Sequence, residues 1–503
     1  MALEAATLWV GIDDLDEGYF AQQATRVLHG QVPYRDFDSL YTPGLVYVHA
    51  GLFFVLGGPS LIGLRVVSLI GRGLVAGLMY ALGRSFARPL WAVVPPLFLL
   101  IGLDASPERW EPHPGWLSTA FALLSVWLFP RSALAAGAAA GLTFLFKQNT
   151  GVLVLGAALL FTWLRATLGI PAAPSAIRAT RPPPWDLRPP GPAAFGHLAP
   201  AAGVAPSGPT AGVRASAHLL LGFSAITLAW MAPLLLAIDW RLGRLAPFVG
   251  GVNQAALFSP PEFVDVLPVA AGLLGAWYAW RRCPHPVLAW YVVAGWFLFL
   301  TEVPRMDALH LVWSAPLLLV VGTVALDGLP AQAGVLALST LVMAALPILD
   351  WRTDWIGQSR VAMAGVPYAE GLLVPHRTRD DLRGLVDDLR ARTAPGEPIF
   401  VYPSEPLVYV VAERPNPTRY DHLYPGAAPP DEIQAVIQRL SDVRIVVTSD
   451  FWPLFFGPPA DNAPLEATLA HEYREVAHYG AYHVLERPIL AHVFEGDGAG
   501  RRD

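Results

Sequence analysis

Four clusters of residues have types and spacings suited to chemistry. The first is Asp13, Asp14, Asp16 and Glu17, followed by GYFAQQATRVLHGQVPYRDFDSLYTPG. A carboxylate placed here can take a proton from a hydroxyl. Several acids together can hold a divalent cation, because hard cations prefer oxygen ligands. The same acids suit a solvated loop that caps a helix beginning near Tyr19, since negative charge favours a helix N-terminus. The second cluster, DASPERWEPHPGW, carries Asp104, Glu108, Arg109, Glu111 and His113. It reads either as a second acidic face of one site or as a polar loop with interfacial Trp110 and Trp116. The third is FKQNTG (146–151), where Lys147 can meet a phosphate oxygen as a point charge or snorkel to an interface. Gln148 and Asn149 make that turn more polar than snorkelling requires. The fourth, EVPRMDALH (302–310), sets Arg305, Asp307 and His310 close together. The planar arginine fork suits phosphate oxygens, and Asp307 could orient Arg305 or His310. A local ion pair in an ordinary loop is the other reading. Arg72 lies inside an apolar run, where a cation is costly and usually has a purpose; an internal salt bridge is its simplest account.

These residues need a scaffold, and the composition says of what kind. Of 503 residues, 54% are hydrophobic and 15% charged, against about 25% charged in a soluble globular domain. With a mean hydropathy of +0.43, the chain is expected to have lipid as its main solvent. The 17 Trp residues fit a protein with membrane interfaces, where Trp is enriched. A formal net charge of -6 offers no basic clamp, so no nucleic-acid partner is expected. Cys283 is the sole cysteine, which excludes an intrachain disulfide and a thiolate metal site. Residues 1–11 contain an acid, a short apolar run and no basic start, so no cleavable signal peptide is expected and insertion relies on internal segments.

Apolar runs predict membrane spans near 61–83, 89–103, 115–130, 133–146, 151–164, 217–238, 265–280, 286–301, 310–326 and 333–349, each judged against the length needed to cross hydrocarbon. Basic residues favour the cytoplasm. Alternation of the spans puts Arg84, Arg88, Arg131, Arg165, Arg178, Arg181, Arg188, Arg214, Arg281 and Arg282 on one such face. The opposite face takes 12–40, 104–114, 147–150, 241–264, 302–309 and the C-terminal region, so all four clusters share it. The run PGLVYVHAGLFFVLG (43–57) is below span length and is expected to lie in the outer interface. Residues 166–214, with RPPPWDLRPPGP at their centre, are expected to form a disordered cytoplasmic linker, since proline removes donors and little there could build a core. The reading is thus a transmembrane region over 1–350, with 12–40 as an outer catalytic loop, and a small extracytoplasmic α/β domain over 351–503. In that domain helices are expected at 378–393 and 431–442, and strands at 398–402, 443–449 and 481–487.

Taken in order, the clusters resemble those of the lipid-dependent glycosyltransferases of the GT-C fold, the branch with protein O-mannosyltransferases, aminoarabinose transferases and bacterial lipopolysaccharide-core transferases. Asp16-Glu17 stands where that family has an Asp-Glu pair in its first outer loop, and GQVPYRDFDSLYTPGLVYV resembles the amphipathic segment after it. The loop 104–114 matches the second acidic loop, FKQNTG the lysine-bearing turn, and PRMDALH a basic outer motif of bacterial members. The resemblance implies a mainly α, polytopic transmembrane helix bundle in the plasma (inner) membrane. It implies inverting transfer of a monosaccharide from a polyprenyl-phosphate donor to a hydroxyl of a glycan, lipid or protein acceptor at the outer face. Asp16 would be the general base. Glu17, with Glu108 or Glu111, would position the acceptor or a divalent metal, and His113 belongs to the same acidic loop. Lys147 and Arg305, with Asp307 and His310 beside them, would stabilise the departing lipid phosphate. Only about ten residues precede the Asp-Glu pair, where the family has a full span, so a segment upstream or a lost helix is expected.

Two other classes fit part of this pattern. A transporter or lipid flippase would suit many spans and Arg72, although such proteins often show repeated halves and no repeat is visible here. A non-catalytic assembly protein would use its C-terminal domain to bind a partner.

Overall fold

The computed structural model describes residue 5 and residues 7–103, 112–168, 209–245, 263–303, 308–328, 359–423, 428–450 and 462–488. Its first part is helical: α1 (Asp16–Leu28), α2 (Gly44–Leu56), α3 (Leu61–Gly83), α4 (Pro89–Leu97), α5 (Gly115–Leu128), α6 (Ala133–Phe146), α7 (Gln148–Leu168), α8 (Pro209–Ala237), α9 (Phe263–Arg281), α10 (Pro286–Phe299), α11 (Ala308–Ser314) and α12 (Pro316–Asp327). Among the described residues, Leu61–Gly83, Gln148–Leu168 and Thr210–Ala237 are long and apolar enough to cross a membrane.

Local chemistry sets the ends of these helices. Ser60 starts α3 by accepting a hydrogen bond from Gly63 N at 3.0 Å, and Ser132 starts α6 by accepting one from Ala135 N at 3.2 Å; both are side-chain caps of otherwise orphaned donors. Pro95 and Pro96 lack the N–H groups that regular α-helix needs, and α4 passes into a π-turn over Phe98–Leu103. The expected span 310–326 is broken at Ala315, and Pro316 opens α12 at a position where its missing donor costs nothing. The expected linker 166–214 is shorter than its composition suggested. Leu168 still belongs to α7 and Pro209 already belongs to α8, because residues such as Arg165, Ala166, Arg214 and Ala215 are good helix formers. Residues 169–208, the expected span 333–349 and the expected boundary at 350/351 lie outside the described residues.

Helix α2 has 13 residues, about 20 Å. Leu45, Val46, His49, Ala50 and Phe53 are buried, whereas Phe54 is 77% exposed and Tyr47, Val55 and Leu56 stand out beside it. One end of the bundle is marked by Arg88, which pairs with Asp327 at 2.6 Å. Helix α4 starts there and α12 ends there, so the segments around His113 and His310 fall at the other end.

The C-terminal part is α/β. Strands β1 (Arg360–Ala362) and β2 (Leu373–Pro375) form an antiparallel hairpin. They are followed by α13 (His376–Arg392), β3 (Ile399–Tyr402), α14 (Leu407–Ala412), α15 (Pro430–Leu440), β4 (Ile445–Ser449), α16 (Ala463–Glu472), β5 (Arg474–Tyr479) and β6 (Tyr482–Glu486). The second sheet runs β3-β4-β6-β5. Parallel β3 and β4 pair Val401 with Val447 across the α15 crossover, the connection a parallel pair requires. The three expected strands and two expected helices are present within a few residues of their predicted limits. The short strands β1, β2 and β5 lacked a clear alternating pattern and were not anticipated.

This sheet is seated on the N-terminal helices. Ala21 and Ala24 of α1, Phe53 of α2 and Leu64 of α3 share one buried cluster with Leu382, Leu385, Val401 and Leu407. Gly11 N donates to Leu373 O at 2.9 Å and Leu373 N to Trp9 O at 2.6 Å, so residues 9–11 extend the β1–β2 hairpin. Gly18 permits the closest approach, since a Cβ there would lie 2.5 Å from Leu407 N and 2.9 Å from its Cα. Gly18→Ala is therefore expected to push α14 off α1 at a cost of about 1–3 kcal/mol. A lowered melting temperature and faster proteolysis of the C-terminal part check this.

Candidate active site

The acidic turn before α1 divides its four carboxylates among four different tasks. Asp13 Oδ1 accepts from Leu15 N at 3.0 Å and Asp16 N at 3.1 Å, so it caps the helix. Glu17 is fully buried, as is its partner Arg65. Arg65 Nε donates to Glu17 Oε1 at 2.6 Å and Nη2 to Oε2 at 2.7 Å, a fork-to-fork geometry that fixes both side chains. The remaining guanidinium donors reach the carbonyls of Leu8, Val10 and Gly11 at 2.8, 3.2 and 3.0 Å. Glu17, expected beside an acceptor or a cation, thus serves to hold α1, α3 and the N-terminal segment together.

Asp14 faces the C-terminal sheet. The Tyr482 hydroxyl donates to its Oδ2, Leu407 N donates to its main-chain oxygen at 3.5 Å, and Oδ1 is buried without a partner among the described residues. Glu405, itself buried and accepting from the Ser449 hydroxyl, stands close by. Burial, then the charges of Asp13 and Glu405, push the Asp14 carboxyl up to about 7. Burial likewise raises Glu405.

Asp16 is left over. It is half-buried at the first residue of α1, and no hydrogen bond or ion pair engages its carboxylate among the described residues. One helical turn on, on the same face, Phe20 meets His113 edge-on at 6.4 Å and stacks on Tyr41 at 5.9 Å.

His113 leads into a group of side chains built around Trp313. The imidazole stacks on the indole at 3.8 Å with 13° between the planes. Its Nδ1 accepts from Gly115 N at 2.9 Å, and its Nε2 lies 2.9 Å from the Tyr41 hydroxyl. Gly115 gives Trp313 its place, since a Cβ there would lie 2.5 Å from Cδ2 of the indole. Lys147 Nζ sits over the same ring at 5.2 Å from its centre, a cation–π contact. His310 meets the indole edge-on at 5.4 Å. Trp116 meets it at 6.4 Å and carries the Arg72 guanidinium over its own ring at 4.9 Å.

The Lys147 turn is held from the N-terminal side. Lys147 closes α6 in extended conformation, and Gln148 opens α7. The Thr42 hydroxyl donates to Phe144 O at 2.7 Å, and Gln148 Nε2 to Leu40 O at 3.3 Å. Lys147 is consequently only 7% exposed. The structure thus gathers His113, Lys147 and His310, which are distant in sequence, at one indole beside the helix that begins with Asp16. Glu108, Glu111, Arg305 and Asp307 lie outside the described residues. Among the described residues no group of three or more His, Cys, Asp or Glu side chains is placed to hold a metal ion. Sequence reasoning passed over Trp313, Tyr41 and Arg65. An arginine inside the 61–83 run was a signal for Arg65, of the same kind as Arg72.

Two predictions follow from the sorted carboxylates. Glu17→Gln leaves the Arg65 charge buried without its counter-ion, and breaking such a pair typically costs about 3–5 kcal/mol; the variant should melt markedly lower in detergent, and an unchanged melting temperature refutes the structural assignment. For Asp14 the folded form holds its proton more tightly than the unfolded form, whose ordinary value is 3.8. Its contribution to stability is greatest below about 4 and is lost as pH rises to about 7. Relative to Asp14→Asn, the wild-type melting temperature should decline across that window and run parallel above it.

No protein-family model matches the chain, and no curated protein sequence does. Solved structures do. The aminoarabinose transferase ArnT from Cupriavidus metallidurans, bound to undecaprenyl phosphate, is similar at a TM-score of 0.56 with 14% identity, over 96% of each chain. The Archaeoglobus fulgidus oligosaccharyltransferase tethered to an acceptor peptide is similar at 0.53 with 13% identity, over 95% of this chain and 70% of its own. The same archaeal enzyme, AglB, in complex with an inhibitory peptide and a dolichol phosphate, gives 0.51 with 13% identity, over 95% of this chain and 70% of its own. The chain has the GT-C fold of these membrane glycosyltransferases.

Proposed function

We propose that this protein is an inverting glycosyltransferase of the plasma (inner) membrane, which moves a monosaccharide from a polyprenyl-phosphate donor to an acceptor hydroxyl at the outer face. The observation that carries this is the sorting of the acidic turn. Asp13, Asp14 and Glu17 are engaged in structure, while no partner among the described residues engages the Asp16 carboxylate. It stands on the α1 face whose Phe20 packs on His113, next to the cation Lys147.

The chemistry needs a base and a cation on opposite sides of the anomeric carbon. Asp16 takes the proton of the acceptor hydroxyl as its oxygen bonds to that carbon. The bond from the carbon to the phosphate oxygen breaks, and its electron pair leaves with the phosphate. Attack and departure on opposite faces invert the centre. Charge grows on the departing phosphate, and a buried ammonium such as Lys147 stabilises it more strongly than one in water. His310, with Arg305 and Asp307 from the same segment, completes the phosphate side, and Glu108 or Glu111 contributes to acceptor placement.

The fold supports this reading. ArnT was solved with undecaprenyl phosphate and AglB with a dolichol phosphate, both polyprenyl-chain phosphates whose tails belong in hydrocarbon. In the proposed topology the Arg88 end is cytoplasmic, by the preference of basic loops for that side. Residues 12–40 and the C-terminal α/β part, from about 351 on, are then extracytoplasmic, with α2 lying in the outer interface.

Asp16→Asn keeps the size and polarity of the side chain and removes the base. Purified in detergent and given a panel of polyprenyl-phosphate sugars, it should lose at least about a hundredfold in transfer, within the span assigned to general-base catalysis, with an unchanged melting temperature. Wild-type turnover in the variant removes Asp16 from that role.

A further inference from the structure

Tyr482 spends its hydroxyl outside its own module. It opens β6 and is buried. It pairs with Tyr479 of β5 across a tight turn and with Ser449 of β4 on its other side. Directly opposed residues of an antiparallel pair lie on the same face of a sheet. From that face the Ser449 hydroxyl donates to Glu405, and the Tyr482 hydroxyl donates to Asp14 Oδ2. The ring belongs to the buried cluster that joins the sheet to α1 and α3. A phenylalanine ring fills the same space, so packing does not account for the hydroxyl. Docking of the module does not account for it either. The apolar cluster, the Gly11–Leu373 hydrogen bond, the Arg26–Asp421 ion pair at 3.2 Å and the Arg419–Asp38 ion pair all join the two parts independently of it.

What the hydroxyl does reach is the turn that carries Asp16. Asp13 Oδ1 accepts from Leu15 N and Asp16 N within that turn. Arg65 grips Glu17 from the bundle side. On the opposite side Leu407 N donates to the Asp14 main-chain oxygen at 3.5 Å. Asp14 Oδ1 has no partner among the described residues, so among those residues the Tyr482 hydroxyl alone holds the carboxyl. We infer that Tyr482 is a positioning residue for the proposed transfer: by holding Asp14, the C-terminal sheet fixes the turn that presents Asp16 to its substrate. A base has to be held within about 0.5 Å of its productive place, and a misplacement of about 1 Å can cost a hundredfold in rate. The bundle supplies the base, and the α/β module sets its aim. The inference rests on the glycosyltransferase reading for what Asp16 does, and on the contacts alone for what holds it.

The test removes the donor and then returns it. Tyr482→Phe, Asp14→Ala and their double variant are compared with wild type in detergent, using a polyprenyl-phosphate sugar that the wild type turns over. A second pair places para-methylphenylalanine or para-aminophenylalanine at position 482. These have nearly one shape and differ in the donor, which keeps the test decisive should Tyr482→Phe fold poorly. Melting temperature, kcat, KM for the donor lipid, and hydrogen exchange of a peptide spanning residues 13–18 are measured. Loss of the hydroxyl is expected to lower kcat about tenfold or more, with KM unchanged and faster exchange in that peptide. The double variant should be no slower than the slower single one, and the amino side chain should restore kcat where the methyl side chain does not. Wild-type kcat and exchange in Tyr482→Phe overturn the inference while leaving the glycosyltransferase reading in place. Equal kcat in the amino and methyl proteins also overturns it, because packing then accounts for Tyr482. A wild-type protein that turns over no polyprenyl-phosphate sugar overturns that reading and the positioning role together.

Discussion

The Glu17–Arg65 ion pair is the contact on which the rest of the arrangement depends. It lies wholly inside the protein, and Arg65 spends its other donors on the carbonyls of Leu8, Val10 and Gly11. Two charges taken out of water are held only if geometry and hydrogen bonding are nearly complete, and here they are. One arginine on α3 therefore sets the position of α1, the direction in which the chain enters it, and the strand-like residues that join Leu373. Asp16, the residue before Glu17 in the chain, has no such partner among the described residues and takes its position from the pair beside it.

A second constraint is aromatic. The indole of Trp313 carries the Lys147 ammonium and the His113 ring, and that of Trp116 carries the Arg72 guanidinium. The absence of a side chain at Gly115 lets this stack close.

The C-terminal sheet completes the acidic turn from outside. Tyr482 reaches Asp14, Leu407 presses on Gly18, and the buried cluster runs without interruption from α1 to β3. A module seated this way does more than decorate the bundle: its removal would expose Ala21, Ala24 and Phe53 and free Asp14. The raised proton affinity of Asp14 follows from that same burial.

Much of this protein was determined by local sequence. Long apolar runs with few charges dictate helices in lipid, and the 61–83 and 133–146 helices end where their Ser caps and Gly or Lys residues say they should. The amphipathic pattern of 378–393 and the apolar runs at 398–402 and 443–449 likewise predicted their elements, because periodicity is a property of neighbouring residues. The candidate cations and acids were legible as types. Which acid is free was not. Four carboxylates within five positions are equivalent on paper. They are separated only by partners 48 residues away for Glu17 and 468 away for Asp14. Trp313 was invisible for a related reason: one Trp among 17 becomes distinctive only when His113 and Lys147, brought from two other turns, join its helix neighbour His310 on its ring. Tertiary structure decided these matters because burial and pairing depend on what the chain brings near, and no local pattern records that.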